Sequence, residues 1–519
     1  MKDIMSVENM RNSDAATIAA GTEGIELMYR AARGIFEALV SEYELKNPGS
    51  FRSLKDDVPS TGILIVCGSG NNAGDGFALA TILKKEGFNC DIALLSDRFS
   101  EDGKYYYKMC LEMGISVFDI EETQALSMKN YGMIVDCIFG TGFHGEISQP
   151  IRDAIVRMND SGAFIISADI NSGINGNSGK AGKGSVAVKS DITVSIGSLK
   201  PGHFLADAPD YMKKVVNCDI GISPAARPYH LFEKKDAAEA FVPRKHNSHK
   251  GTFGYVALVG GSLRYSGAIR LANLAQSAVC SGAGVVKLAV PGNIAELIVP
   301  HILESTVFPL SSDENGIVFS DKEIRSLFEG VSTIAVGMGI GNTPETEKLV
   351  EFLLNNFKGK LIIDADGLNV LRGKCELLKN SVAQKVILTP HPKEFSRISG
   401  LDMETILSDP CKAAKDFAKE YNVTLLLKGN ATVVCNQDKV YICNRGCPGM
   451  ATGGSGDVLS GVIAAMVAPK EAPITESVAA AAFVTGVAGE IAEKKETPVS
   501  MTASDTVLCI KQAVKEVLS

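Results

Sequence analysis

Short apolar runs recur along the chain, each closed by Gly, Asn or Asp and separated from the next by a segment of helical periodicity. In the first half these are ILIVC (63–67), MIVDCI (133–138), AFIISAD (163–169) and ITVSI (192–196). Strands of a parallel sheet covered on both faces read this way, because neither side of such a strand meets water. Residues 1–40 predict an amphipathic helix, with Ser6 ahead of Glu8 as its capping signal. The second half repeats the grammar in YVALVG (255–260), VVKLAV (285–290), TIAVG (333–337), KLIIDAD (360–366), VILTP (386–390) and VTLLLK (423–428). Between the first two of these, Ala268, Leu271, Ala272, Ala275 and Ala278 mark one helix face, and Ser266 stands where a cap belongs. The stretch 222–250 carries three prolines, clustered charge and little periodicity. The pattern predicts an α/β protein of two doubly wound domains, 1–225 and 226–519. Each is expected to hold its own site at the carboxyl ends of its strands, where open α/β sheets bind ligands.

Composition narrows the function classes. Hydrophobic residues make up 45% and charged residues 22% of the 519, which excludes a disordered or fibrous chain. The 52 Lys and Arg against 60 Asp and Glu give a net charge of −8, a poor match to nucleic acid or an anionic membrane. No run reads as long and apolar enough to cross a bilayer, and MKDIMSVENMRNSD lacks the apolar core of a signal peptide. Of 12 cysteines only Cys443 and Cys447 lie close together, without a second pair or a His at zinc spacing. The expectation is a cytoplasmic protein with reduced thiols, acting on small molecules, with neither nucleic acid nor membrane as partner. Small residues over 477–489 suggest a helix that packs between the subunits of a homo-oligomer.

Glycine-rich segments carry the candidate chemistry. GILIVCGSGNNAGDGFALATIL reads as a strand, a glycine turn and a helix beginning near Phe77. That geometry aims backbone N–H groups and the positive helix end at an anion. Asn71, Asn72 and Asp75 add polar groups; the alternative is a tight turn with Asx capping. Asp136 and Asp169 each close a strand, and Ser172 follows the second. Asn72, Asp136 and Ser172 form a hard oxygen set, suited to an alkali or alkaline-earth cation rather than zinc. GTGFHGE (140–146) is a second candidate phosphate or ribose contact, in which His144 reads as a surface residue.

In the second half, GMATGGSGDVLSG runs a glycine turn into an apolar helix. The N–H groups of Gly453, Gly454, Ser455 and Gly456 can cradle a moving phosphoryl group. Asp457 in the first turn can take the proton of an attacking hydroxyl, or else only cap the helix. LLLKGNATVV places Lys428 and Thr432 in a short turn, TPHPKEFSRI places His391 and Glu394 after a strand, and DADGLN places Asp364 and Asp366 likewise. VGMGIGN (336–342) is a third glycine loop. Each alone is as readily a plain βα turn. No GxxxxGK[ST] is present, which excludes a P-loop enzyme.

GSGNNAGDG, VDCIFGTGFHGE, ADINSG and SDITVSIGSLKPGH together resemble the epimerase domain of NAD(P)H-hydrate repair enzymes, over roughly residues 1–220. HKGTFGYVALVGGSLRYSG, DADGLN, TPHPKEFSRI, LLKGNATVV and GMATGGSGDVLSG resemble the ADP-dependent NAD(P)H-hydrate dehydratase domain, over roughly 230–519. The resemblance implies a Rossmann-like three-layer sandwich followed by a ribokinase-like domain. It implies that Asn71, Asn72, Ala73, Gly74, Asp75, Gly140, Thr141, Gly142, Phe143, His144, Gly145, Glu146 and Asp169 contact the hydrated dinucleotide, with Asp169 as acid/base. It implies potassium at Asn72, Asp136 and Ser172. In the second domain it implies that Ala268, Gly339, His391 and Asp457 contact the hydrate. ADP, bound with magnesium, would contact Lys428, Gly429, Asn430, Ala431 and Thr432 and the glycine loop. The expected activity is epimerisation of the R and S hydrates and ADP-dependent dehydration of the S form, releasing AMP and phosphate. The chain departs from the family spellings at Ser69 and Ala73 (GPGNNGGDG), Asn171 (DIPSG), Met338 (GPGLG) and Gly367 (DADALN). Two other readings share these motifs. A small-molecule kinase of the ribokinase superfamily would use Asp457 and release a stable phosphate ester. A scaffold like those of RNA decapping would have no need of Asn72, Asp136, Asp169 and Ser172 together.

Overall fold

A computed structural model describes residues 2–46, 62–143, 145–182, 184, 186–279 and 283–519. They form two compact units, Asp3–Tyr229 and His230–Ser519, the latter with Lys2, so the division falls just after the expected 225/226 boundary.

The sheet of the first unit has seven parallel strands. Their order is Ser116–Phe118, Cys90–Leu94, Gly62–Cys67, Tyr131–Cys137, Phe164–Ala168, Ile192–Ile196 and Val215–Cys218. The chain winds outward from Gly62–Cys67 to one edge and from Tyr131–Cys137 to the other. The crevice between those two strands is therefore the topological switch point. Strand residues alternate between layers. Ile63, Ile65 and Cys67 pack with helices Gly24–Lys46 and Gly70–Lys85, whereas Leu64 and Val66 pack with Ala154 and Met158 of helix Gln149–Asn159.

Two expectations need correction here. The helix expected over residues 1–40 is two helices, Val7–Ala19 and Gly24–Lys46. Gly21, at φ +107°, interrupts them, a conformation no α-helix carries through. Ser6 caps the first, accepting from Asn9 N at 3.1 Å. The helix expected to begin near Phe77 begins at Gly70. Its glycines sit inside the helix because neighbours crowd it. A methyl on Gly74 would come 2.5 Å from Met28 Cε and 3.0 Å from Gly103 Cα, and one on Gly76 would come 2.9 Å from Cys67 Sγ.

The second unit is built on a larger sheet. Its order is Thr306–Leu310, Val285–Pro291, Tyr255–Val259, Thr333–Val336, Lys360–Ile363, Lys385–Leu388, Thr424–Leu427, Thr432–Cys435, Val440–Cys443 and Tyr229–Leu231. The strands through Thr424–Leu427 are parallel, Thr432–Cys435 and Val440–Cys443 continue as an antiparallel extension, and Tyr229–Leu231 joins Val440–Cys443 in parallel. Here the winding reverses between Tyr255–Val259 and Thr333–Val336. Helices Ser266–Val279, Ser455–Val467, Ile474–Lys495 and Ala503–Leu518 share one core with the sheet. A methyl on Gly461 would come 2.1 Å from the Ala272 carbonyl oxygen, so two of these helices meet backbone to backbone.

Ile474–Lys495 overturns two further expectations. Among the described residues it is long and apolar enough to cross a membrane, yet 83% of its most apolar stretch is buried in the protein. Its small residues, Ala479 to Ala482 and Ala488 among them, lie in this unit's own core. The face expected between subunits is thus already occupied.

Candidate functional sites

A cavity of about 560 Å³ opens at the switch point of the first unit. Asn71, Asn72 and Asp75 line it from the start of helix Gly70–Lys85, Gly140 to Phe143 from the loop after strand Tyr131–Cys137, and Asp169 from the end of strand Phe164–Ala168. Asp169 has φ +64°, a conformation costing a non-glycine residue about 1–3 kcal/mol. Its backbone is held on both sides. Its N–H donates to Val194 O at 2.8 Å, and its carbonyl accepts from His203 Nε2 at 2.9 Å. The carboxylate accepts from Thr141 N at 3.1 Å through Oδ2, and from the Lys200 ammonium through Oδ1.

Lys200 was not among the sequence-derived candidates, although it lies within SLKPGH. It is only 1% exposed and also donates to Ile196 O at 2.8 Å. His203 Nδ1 accepts from Lys200 N at 3.0 Å, so the ring proton resides on Nε2 and is given to Asp169. Burial and the Lys200 charge hold His203 down to about 4, which keeps it neutral. Burial alone would raise the Asp169 pKa, but the Lys200 ammonium and the Thr141 hydrogen bond outweigh it and hold the carboxylate below its usual range. Burial, reinforced by Asp169 and Asp14, pushes Asp75 well above its usual value. Burial likewise carries Asp14 to about 6, with Lys200 opposing and Asp169 adding. Asp14, on the cavity wall, was also missed; its only sequence signal is a carboxylate on an N-terminal helix. The cavity therefore holds carboxyl groups driven in opposite directions around one ammonium, an arrangement that separates a base from acids.

Beside the cavity, Asp136 is wholly buried. It accepts from Ser172 Oγ at 2.5 Å, Ser172 N at 2.8 Å, Ser167 Oγ at 2.8 Å and Ile138 N at 3.2 Å. All four donors are neutral. Asn72 is 6% exposed, and neither atom of its amide has a hydrogen-bond partner among the described residues. Burial raises the Asp136 pKa against its four hydrogen bonds, so no charged partner among the described residues keeps the carboxyl ionised. With the orphaned amide of Asn72, whose Cβ a methyl on Gly140 would approach at 3.5 Å, it fits a monovalent cation with oxygen ligands.

Other expected contacts fall elsewhere. Ala73 lies in the hydrophobic core and does not line the cavity. Gly74 packs on Met28 and Gly103 and does not line the cavity. Gly145 and Glu146 are exposed and stand outside its wall, and His144 lies outside the described residues. Asn171, where the family reads Pro, is fully buried and tied down. It donates to Val188 O at 2.7 Å and Tyr211 O at 3.0 Å, and accepts from Thr193 Oγ1 at 2.5 Å.

In the second unit the candidate residues converge at the carboxyl ends of the central strands. A methyl on Gly339 (φ +64°) would come 2.9 Å from Ala268 Cβ, so these two are neighbours. His391 caps helix Pro392–Ser399, its Nδ1 accepting from Lys393 N at 3.1 Å and Glu394 N at 3.3 Å. Lys428 N donates to Pro390 O at 2.9 Å, which joins the KGNAT turn to the His391 loop. Ala431 is 4% exposed. Lys428, expected at nucleotide phosphates or ribose, is paired with Asp364 at 2.7 Å. Met338 is buried in the core, and a methyl on Gly367 would come 3.0 Å from Ile363 Cγ2, so that family alanine has little room here.

Helix Ser455–Val467 starts from Gly454 at φ +95°, where a methyl would strike Leu271 Cδ1 at 2.5 Å. At Gly453 a methyl would meet nothing within 4 Å, so that stretch faces open space. The Ser455 hydroxyl is buried and unpartnered among the described residues. Burial, with Asp364 adding and Lys428 opposing, raises Asp457 to about 6. A carboxylate so placed, beside an open glycine turn and an unpaired hydroxyl, can accept a proton from a hydroxyl bound there.

Comparison with known proteins bears on both units. A family described as NAD(P)H-hydrate dehydratase matches residues 256–512, and one described as YjeF-related protein N-terminus matches residues 24–202. The bifunctional NAD(P)H-hydrate repair enzyme Nnr of Dictyoglomus turgidum is 32% identical over 100% of this chain and 99% of its own length. The protein of the same name from Hyperthermus butylicus is 32% identical over 96% of this chain and 90% of its own. The chain belongs to the bifunctional NAD(P)H-hydrate repair enzymes. Its first unit is the epimerase domain and its second the dehydratase domain. Among solved structures, the ADP/ATP-dependent NAD(P)H-hydrate dehydratase of Bacillus subtilis, co-crystallised with ATP and magnesium, is 25% identical. It covers 56% of this chain and all of its own, with a TM-score of 0.47.

Proposed function

We propose that the epimerase unit interconverts the R and S hydrates of NAD(P)H in the switch-point cavity, and that the dehydratase unit converts the S form to NAD(P)H at the expense of ADP. The cytoplasm is where we place this repair, on sequence grounds. In the epimerase unit Asp169, kept ionised by Lys200, takes the proton of the 6-hydroxyl as the C6–N1 bond breaks and C6 becomes an aldehyde carbon. Asp75, biased toward its protonated form, gives its proton to the released ring nitrogen; that nitrogen re-adds to the other face of the aldehyde, both protons return, and C6 is inverted. Asn72, Asp136 and Ser172 would hold potassium, which compensates the buried Asp136 charge and orders the two loops.

In the dehydratase unit, Asp457 takes the proton of the 6-hydroxyl as its oxygen attacks the terminal phosphorus of ADP. The bond from that phosphorus to the bridging oxygen breaks, and AMP leaves. The amides of Gly453 to Gly456 stabilise the charge on the moving phosphoryl group. The ring nitrogen then expels phosphate from C6, and loss of a C5 proton restores the dihydropyridine. Magnesium would arrive with the nucleotide phosphates. The observation that carries this reading is Asp457, a half-buried carboxylate raised to about 6, at the first turn of a helix that begins in an open glycine turn. Incubation with mixed NADH hydrates tests it. Full recovery of NADH absorbance is expected with ADP and none without it; recovery that consumes no ADP would refute it.

A further inference from the structure

A cavity of about 490 Å³ opens in the dehydratase unit, away from Asp457. Its wall includes Gly284 and Val285, where strand Val285–Pro291 begins, and Gln276, near the end of helix Ser266–Val279. Ala268 marks the other end of that helix, beside Gly339. The helix rises about 12 Å from Ala268 to Gln276, so the cavity lies at the opposite ends of the strands from the repair site.

The segment RKHNSHK (244–250), to which the repair reaction gives no role, supplies Arg244, Lys245, His249 and Lys250 to the wall. The segment is fixed in place. A methyl on Gly284 would come 1.6 Å from the Lys250 carbonyl oxygen, and the Arg244 guanidinium lies over the Phe253 ring, 4.2 Å from its centre. His249 Nδ1 accepts from Gly251 N at 3.1 Å, which leaves Nε2–H as its outward donor. Glu304 is the acidic group on the wall. In a chain of net charge −8, this concentrates positive groups at one concavity. Gln276 borders the same cavity and is 2% exposed, and its Oε1 has no hydrogen-bond partner among the described residues. An amide oxygen left so costs roughly 1–3 kcal/mol; it is closed to solvent, so a ligand donor recovers that cost once the side chain turns into the cavity.

We propose that this cavity is a second ligand site, for a phosphorylated small molecule that also carries hydroxyl or amide donors. The phosphate meets Lys245, Lys250 and His249 Nε2–H. The donors meet Glu304 and Gln276, which a bare anion leaves unserved. The volume lies within the roughly 300–1,000 Å³ of small-molecule sites. The site does not depend on the repair reading, because it shares no residue with that machinery.

Calorimetric titration of the full chain with ribose 5-phosphate, inorganic phosphate and ribose, each alone, tests the proposal. Ribose 5-phosphate is expected to bind saturably, at least about tenfold more tightly than either fragment. Lys245→Ala with Lys250→Ala, and separately Gln276→Met, should weaken it by about tenfold or more while the ADP-dependent dehydration rate without added ligand stays unchanged. Absence of saturable binding, equal affinity for inorganic phosphate, or affinity untouched by the variants would each overturn it.

Discussion

Lys428 Nζ lies 2.7 Å from Oδ1 of Asp364, and the other oxygen of that carboxylate accepts from Ser460 Oγ at 2.6 Å. A methyl on Gly456, the residue before Asp457, would come 3.3 Å from the same ammonium. Lys428 thus sits at the edge of the phosphoryl site with one of its three N–H donors held by Asp364. Its charge opposes the rise in the Asp457 pKa that burial and Asp364 cause. Lys428→Met should therefore move the acid limb of the dehydration pH profile upward by about one unit, the low end for a lost opposite charge. The Asp364 carboxylate, 1% exposed, would also be left unpaired, so urea denaturation should show a loss of roughly 3–5 kcal/mol. An unmoved pH limb would show that Lys428 serves the fold alone.

Asp457 must be ionised to accept a proton. With its pKa at about 6, dehydration should fall as pH drops through that value, while epimerisation follows its own groups. Asp457→Asn should cost dehydration roughly 10²–10⁴-fold, the span of general base catalysis, and leave epimerisation intact. Both rates are read from one mixture of hydrates by chiral chromatography. Comparable loss of both activities would argue against separate sites.

Lys200 and Asp169 should act as a unit in the first domain. Lys200→Met removes the cation that holds the Asp169 pKa down and leaves burial unopposed, so the carboxylate takes up a proton. Conversion of the R hydrate should drop by about 10²-fold or more. The S hydrate should still be consumed with ADP, so NADH recovery should halt when the R form remains. Recovery that still runs to completion would remove Lys200 from the reaction.

How legible this was depends on the kind of residue. Strands such as Gly62–Cys67 and Tyr131–Cys137 were plain because burial on both faces makes them continuously apolar. Asp169 and Asp457 were plain because each closes a strand or opens a helix in a marked motif. Lys200 was not, since one lysine after an apolar strand looks like any exposed charge until the fold buries it beside Asp169. Gln276 was hidden in the same way inside an amphipathic helix. The glycines of GSGNNAGDG misled in the other direction. Their spacing suits both a phosphate turn and a helix pressed against neighbours, and only the position of Met28, Gly103 and Cys67 decides between them.

Potassium dependence should be confined to epimerisation. Replacing potassium by lithium should slow that activity and leave dehydration unchanged, apart from any demand of the nucleotide. Asn72→Leu fills the space of the orphaned amide with an apolar group, so its residual epimerisation should be insensitive to potassium. Retained sensitivity in that variant would place the cation elsewhere.

The packing role of the glycines gives a final test, separable from catalysis. Gly74→Ala puts a methyl 2.5 Å from Met28 Cε and 3.0 Å from the Gly103 backbone. The methionine can swing aside but the backbone cannot, so the helix must shift, at about 1–3 kcal/mol. Ala73→Gly, one residue earlier, removes a core methyl and adds backbone freedom without touching the cavity wall. It should cost about 1 kcal/mol of stability and leave the KM for hydrate unaltered. Thermal denaturation and steady-state kinetics on both variants separate the two effects. A changed KM in Ala73→Gly with unchanged stability would return residue 73 to the ligand and undo the assignment of this helix face to the core.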